Sequence, residues 1–304
     1  MVKFFYNIQT WFMKRNISIL TKITYRINLF LARVLVPIYY SLTPTKKSGV
    51  NKGIKEPKVI VSLTSFPPRM NMIWMVLESL LRQTRKPDKI ILWLADSQIK
   101  SKDDIDNRVL KMYDRGLEIR FCEDLKSHKK YYYTMKYFKE DIVITVDDDL
   151  FYPENMIEKM LDKHYQYPNN IICYRAHKIT FKDNSVDKYL NWDYASPNLT
   201  GPDELLIPTG GAGALYPPKS LNEEVFNINS IKSLCPNADD IWLKCMGFMN
   251  GTKVVKVYPL YSEMFSVFNS DKDGLAKSNV IGGENDIQFK NIIDHYSIKF
   301  IKKE

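Results

Sequence analysis

An α/β fold with a mostly parallel sheet is predicted by two features of the chain from Lys58 onward. Short β-branched runs alternate with helix-period segments, and each run stops at turn or acidic residues. The first run, Val59 to Thr64 (VIVSLT), is ended by Ser65, Phe66, Pro67, Pro68 and Arg69, because two prolines cannot continue a ladder. Ile73, Val76, Leu77, Leu80 and Leu81 then recur at the spacing of one buried helix face. Lys89 to Leu94 (KIILWL) is a second strand with Asp96 just beyond it. Lys102 to Arg115 is expected as a polar helix, Leu117 to Cys122 as a third strand and Tyr131 to Phe138 as a helix. A fourth strand ends in DDD, Asp147 to Asp149. Strands alternating with helices imply right-handed crossovers.

Three adjacent carboxylates raise one another's pKa values unless a cation or several donors offset the charge. Oxygen ligands of this kind suit Mg2+ or Mn2+, and the carboxyl ends of parallel strands are where open α/β sheets bind ligands. The plainer reading is an acidic loop capping the next helix. Beyond Asp149 the pattern is less regular: a helix (Glu154 to His164), a strand (Asn170 to Tyr174), a polar excursion (Lys182 to Asp203) and the Gly-rich IPTGGAGALYPP. That Gly-rich run lacks the GK[ST] ending of a phosphate loop, so close backbone approach is the expected role of its glycines. In CPNADDIWLKCM, Asp239 and Asp240 precede an apolar helix; one acid suits the helix start and leaves the other for base chemistry. Of the four histidines, His128, His164, His177 and His295, the last is the strongest candidate ligand, in a weak set.

The charge is unevenly spread. Of a net +9, residues 1–57 supply the whole excess, with ten Lys or Arg against Glu56, and the remainder is formally neutral. Nucleic-acid binding by the globular part is therefore disfavoured. Arg15, Lys22, Arg26 and Arg33 fall on one face of a helix whose other positions include Trp11, Phe12, Ile19, Ile23, Ile27, Phe30 and Leu31. A basic amphipathic helix over residues 11–40 is expected to lie on an anionic membrane, with residues 43–57 as a flexible linker. The alternative is a helix packed on the main domain. The longest charge-free stretch, Val34 to Thr45, holds twelve residues and two prolines, too few to span a bilayer. Cys122, Cys173, Cys235 and Cys245 form no CxxC pair, as expected of reduced thiols in a cytosolic compartment.

Together VSLTSFPPR, SLLRQTRKPDKIILWL, DLKSHKKYYY, ITVDDDLFYP, PTGGAGALYPP and PNADDIWLK, in that order, resemble the GT-A glycosyltransferases, in particular bacterial nucleotide-sugar transferases of capsule, lipopolysaccharide and other surface-glycan synthesis. The resemblance implies a GT-A (Rossmann-like) domain over residues 58–304, with a nucleotide-binding half to residue 149 and an acceptor half after it. It implies that Asp147 and Asp149 bind Mn2+ or Mg2+ on the diphosphate of a nucleotide sugar, a UDP-sugar being the expected donor, with Asp148 assisting. Thr64, Ser65 and Arg69 match the nucleotide-holding loop, and Asp96 the base or ribose contact. Lys130, with Lys126 and Lys129, is expected to face the diphosphate, the alternative being a solvated helix face. Asp239 and Asp240 match the acceptor-side acids, Asp240 being the preferred general base if the reaction inverts. The acceptor is expected to be a glycan or a lipid-linked glycan, and the protein to lie on the cytoplasmic face of the membrane. Two rivals remain: a non-catalytic membrane-associated carbohydrate-binding scaffold, and a phosphohydrolase with an Asp nucleophile, whose pattern wants Thr or Val where Phe151 stands.

Overall fold

The computed structural model describes residues 1–15, 18–53, 56–259, 263–268, 279–280 and 282–302. Strands β1 (Val59–Thr64), β2 (Lys89–Ala95) and β3 (Leu117–Cys122) pair in parallel. Between β1 and β2 lies α3 (Ile73–Leu81). The fourth strand, β4 (Ile142–Thr145), returns to the other side of β1, also in parallel. The expected helix over Lys102 to Arg115 is broken. Its only α-helical turn is α4 (Asn107–Leu110), which starts where the Asp106 carboxylate accepts the Arg108 N–H at 2.8 Å. Gly116, at φ +99°, closes the segment in the left-handed region. These polar residues carry too few apolar positions for a long buried face, so capping decides where they coil.

Beyond β4, the sheet is completed by β5 (Ile171–Cys173), β10 (Ala214–Tyr216) and β11 (Val254–Lys256). The order is β3-β2-β1-β4-β10-β5-β11, and β10 alone runs antiparallel to its neighbours. Two short pairs stand off this sheet: β6 (Ala176–Lys178) with β9 (Leu206–Pro208), and β7 (Phe181–Lys182) with β8 (Ser185–Val186). Helices α5 (Lys129–Tyr137), α6 (Met156–Gln166), α7 (Ile228–Leu234), α8 (Asp239–Met249) and α9 (Glu284–His295) complete the layers. Successive strands run outward from β1 on one side and then, with β4, on the other. The gap beyond the carboxyl ends of β1 and β4 is thus the topological switch point, where a ligand crevice forms.

The N-terminal residues form two helices, α1 (Val2–Lys14) and α2 (Ser18–Leu42), rather than one. Arg15 therefore stands apart from the Lys22 and Arg26 face. Arg33 turns inward and donates to the carbonyl of Ser266 at 3.0 Å. The hairpin packs on the main sheet through Phe5, Tyr6, Ala32, Val36 and Tyr40, all buried in the same apolar cluster as β1 and α3. The carboxylate of Glu154, expected to lie in a helix, instead accepts the backbone N–H groups of Val2 (3.1 Å) and Lys3 (2.7 Å) at the α1 N-terminus. That pairing satisfies orphan amides and sets a negative charge at the positive end of the helix dipole.

Two further expectations change. Within the described part of the 43–57 linker, Gly49 N–H bonds Arg115 O and Asn51 N–H bonds Pro87 O, both at 2.8 Å. Gly49 lies against Leu81, where a Cβ would come within 2.3 Å of a methyl carbon. The segment is thus laid down on the domain, and Lys55 lies outside the described residues. The GGENDIQF stretch, whose glycines and acids read in sequence as a loop that could close on the donor, instead opens α9 at Glu284, with Gly283 at the N-cap. The four cysteines are buried and unpaired.

Candidate active site

At the switch point lies a cavity of about 650 Å3, lined by the turn after β1, the acids after β4, the Gly-rich turn between β9 and β10, and the start of α8. Helix α5 is held over β1 and β2 by a buried polar chain in which the Trp93 indole N–H donates to Thr134 Oγ1 at 2.7 Å and Thr134 meets Ser62 Oγ at 2.6 Å. That anchorage sets Lys130, in the first turn of α5, into the cavity wall.

The three acids have different surroundings. Asp148 is buried, accepting from Ser65 Oγ and pairing with the Arg69 guanidinium. Arg69 also reaches Asp149 Oδ2 at 3.1 Å. Asp147 and Asp149 are 36% and 24% exposed, so these two face the cavity. Lys130, nearly inaccessible, sits 2.7 Å from Asp147 Oδ1 and 2.8 Å from Asp239 Oδ2. The second contact is an ion pair rather than an aligned hydrogen bond. One ammonium therefore bridges the strand-end acids and the helix-start acids. Asp240 is half-buried, and its Oδ1 accepts the Gly210 N–H at 2.9 Å. A Cβ at Gly210 would lie 2.6 Å from that oxygen and 3.0 Å from Lys130 Nζ, and one at Gly211 would lie 2.9 Å from Asp147 Oδ2. Only a backbone without side chains fits between the two acid pairs.

The electrostatics follow from this crowding. Burial opposes charge on Lys130, but Asp147, Asp239 and Asp240 outweigh it and hold its pKa well above the usual value. Burial likewise works against the Asp147 carboxylate, and Lys130 reverses the balance and lowers its pKa. Asp149 is pushed up to about 7 by burial and by Asp147, against the pull of Arg69. Asp240 also reaches about 7, through burial and Asp239, opposed by Lys130. Asp148 is raised by burial, with Arg69 and Ser65 acting the other way.

This surplus of negative charge, with two carboxylates open to the cavity, fits a hard divalent cation. Among the described residues no three His, Cys, Asp or Glu side chains form a ready cage. The donor set thus matches an ion that takes one or two carboxylates and completes its shell with water and phosphate oxygens.

Thr64, Ser65, Arg69, Lys130, the three strand-end acids and the Asp239–Asp240 pair all line this one cavity. Asp96 does not: it is exposed at the end of β2, and Gln98 and Asp124 occupy that part of the wall, joined at 2.8 Å. Asp124 also pairs with Lys129 at 2.5 Å, and Lys126 reaches Asn237 at 2.6 Å, so of the three lysines it is Lys130 that meets Asp147 and Asp239. His128 is fully buried between Cys235 O (2.7 Å) and the Tyr131 hydroxyl (3.0 Å), and burial lowers its pKa to about 4 against the opposing pull of Asp239 and Cys235 O. His295 is exposed on α9 and does not line the cavity. Sequence reasoning missed Arg175, Tyr189 and Tyr194, which with His177 of β6 line the far wall; the two tyrosines lie in the irregular stretch between β8 and β9, where no spacing marks them.

A seven-stranded sheet with one reversed strand and acids converging at the switch point is the architecture of a GT-A glycosyltransferase. A mannosyltransferase from Pyrobaculum calidifontis, solved in complex with GDP-mannose and Mn2+, is similar in fold, with TM-score 0.50 and 12% identity over 91% of this chain and 76% of its own. The chain belongs to glycosyl transferase family 2, whose model matches residues 69–223, and it is a glycosyltransferase. Staphylococcus aureus TarS, residues 1–349 in complex with UDP, aligns with TM-score 0.45 and 13% identity over 69% of this chain and 60% of its own. No curated protein matches the chain.

Proposed function

We propose that the protein transfers a sugar from a nucleoside diphosphate sugar to a glycan or lipid-linked glycan, with a divalent cation held by Asp147 and Asp149, in cell-surface polysaccharide synthesis. The observation that carries this reading is the meeting, in one cavity, of two open carboxylates after β4 and the half-buried Asp240 at the start of α8. Bound Mn2+ or Mg2+ would neutralise the departing diphosphate as a Lewis acid. Arg69 and Ser65 orient the acid turn by holding Asp148. Lys130 stands at the seam with a fixed positive charge, where the diphosphate oxygens would lie. Asp240, whose pKa near 7 suits a base at neutral pH, takes the proton of the acceptor hydroxyl. Residues 58–149 supply the nucleotide side and residues 150–304 the acceptor side. The phosphohydrolase reading loses ground to the family match.

Titration of UDP and GDP into the protein, with and without Mn2+, tests this. One nucleotide should bind in a metal-dependent manner, and Asp149→Ala should weaken it by about tenfold or more, the loss of one of two protein ligands. A folded protein that binds neither nucleotide would sink the reading.

The surface reading rests on α2. Ile19, Ile23, Ile27, Phe30, Val34 and Ile38 form an exposed apolar stripe on its outer face, with Lys22 and Arg26 exposed along its border. An apolar face edged by cations suits an anionic bilayer surface. No helix among the described residues is long and apolar enough to cross a membrane. The protein should sediment with phosphatidylglycerol vesicles and much less with phosphatidylcholine alone. An Ile23→Ser, Ile27→Ser double variant should bind roughly tenfold more weakly at unchanged Tm, since both side chains are about half exposed. Equal binding to both vesicle types would remove the surface role.

A further inference from the structure

The excursion between β8 and β9 carries a strained turn whose purpose is not structural economy. Ala195, Ser196 and Asn198 all have left-handed backbones, at φ +55°, +40° and +67°, though none is glycine. Such backbones are unfavourable for residues that carry a Cβ, least so for Asn, and persist where the surroundings over-determine them. Here they do. The Ala195 N–H donates to His177 Nδ1 at 3.0 Å. The fully buried Lys256 ammonium donates to Ala195 O (2.5 Å), Ser196 O (2.7 Å) and Pro259 O (3.2 Å). Just before, Trp192 is buried, its indole bonded to Asp187 O at 2.8 Å and its ring edge-on to Phe289 of α9 at 5.2 Å.

The effect of this bracing is to hold two apolar groups out in the cavity. Tyr194 is 59% exposed and Leu190 65% exposed, yet both line the same cavity as Asp240. The Tyr194 ring is fixed from behind by His177, centroid to centroid 4.7 Å and tilted 30°. Its hydroxyl bonds the Glu263 carboxylate, which in turn lies 3.4 Å from the Arg175 guanidinium. Arg175 is tied to Thr209 Oγ1, at the entry of the Gly-rich turn, at 2.5 Å. Gly210, next to Thr209, donates its N–H to Asp240 Oδ1 at 2.9 Å, which puts this wall on the base side of the cavity, and Tyr189 in the same wall is raised in pKa by burial and then by the Asp240 carboxylate. A rigid aromatic face bordered by a carboxylate and a guanidinium is the surface a pyranose ring needs: its axial C–H groups pack on the ring while its hydroxyls meet the charged pair.

We infer that Tyr194 and Leu190 form a shelf for the sugar ring of the acceptor, making that acceptor a saccharide at the point of attack. This rests on the transferase reading above. Lys256 and His177 are positioning residues for the shelf.

The test is saturation-transfer NMR on the full chain with Mn2+ and UDP or GDP, using the α- and β-methyl pyranosides of glucose, galactose, mannose and N-acetylglucosamine as probes. At least one glycoside should receive saturation on its ring protons. Tyr194→Ala should weaken its binding by about tenfold, the worth of one aromatic contact, while Tyr194→Phe retains it and nucleotide affinity stays unchanged in both. Thermal melting checks that the variants fold. If nucleotide binds but no glycoside does, or if Tyr194→Ala binds glycoside as well as the unaltered chain, the shelf is wrong and the transferase reading stands. If Tyr194→Ala weakens the nucleotide instead, the ring serves the donor and the inference falls. If neither nucleotide nor glycoside binds, both readings fall.

Discussion

Asp240→Asn lowers kcat by about 10²–10⁴, the usual worth of a positioned general base, while nucleotide affinity stays within about twofold. The amide oxygen can still accept the Gly210 N–H that Asp240 Oδ1 now accepts at 2.9 Å, so the Gly-rich turn keeps its place. What is lost is the site for a proton. The pH profile gives a sharper check. A base with its pKa raised to about 7 is protonated below that value, so kcat/KM should fall about tenfold per pH unit on the acid side. In Asp240→Asn the residual rate should lack that limb. Saturating Mn2+ is needed throughout, because Asp149 is also raised to about 7 and its protonation would weaken metal binding over the same range. A variant with unchanged kcat at neutral pH would remove Asp240 from the chemistry and leave Asp239 or substrate-borne groups to do the work.

Arg69→Ala has the largest expected effect on stability. Arg69 and Asp148 are both buried, and Arg69 also reaches Asp149 at 3.1 Å. Removing the guanidinium leaves a buried carboxylate without its cation, at a cost of about 3–5 kcal/mol. Denaturant unfolding should register that loss, and Tm should fall by several degrees. The double variant Arg69→Met, Asp148→Leu should recover much of the stability, because an apolar pair of similar volume carries no uncompensated charge. It should not recover metal-dependent nucleotide binding if the pair's task is to aim Asp149. A fully stable Arg69→Ala would show that water or the neighbouring Ser65 already satisfies Asp148.

The strands and their acids were legible because burial on both faces demands continuous apolar runs, and such runs have clear ends. VIVSLT corresponds to β1 over the same residues and the DDD run follows β4, while LEIRFC matches the half-buried edge strand β3, where apolar residues alternate with charged ones. Short elements were harder. The reversed strand β10 is three residues long, and nothing in Ala-Leu-Tyr marks its direction. The helix predicted over Lys102 to Arg115 failed because capping at Asp106, a one-residue effect, overrode a weak periodicity. Site residues divide the same way. Asp147 to Asp149 and Asp239 to Asp240 announce themselves as clusters. Asp96 and Asp124 each stand near the end of a strand, and nothing in the sequence marks that Asp124, not Asp96, lines the cavity. Arg175, Tyr194 and Glu263 come from three separate turns and meet only through the tertiary fold.

The placement of Tyr6 bears on how the chain is made. Residues after β4 pair with a returning segment: Phe151 N–H bonds Phe265 O at 2.9 Å and Val267 N–H bonds Asp149 O at 2.8 Å. The Tyr6 hydroxyl closes the end of that short ladder, donating to Phe151 O at 3.2 Å and accepting the Phe265 N–H at 2.9 Å. Its partners lie 145 and 259 residues away along the chain. Contacts of such separation form late, after the loop-closing entropy has been met by nearer ones. On the ribosome the strand-end acids can therefore take their final setting only after residue 267 has emerged. Until then a growing polypeptide holds an unfinished cavity and an idle catalyst.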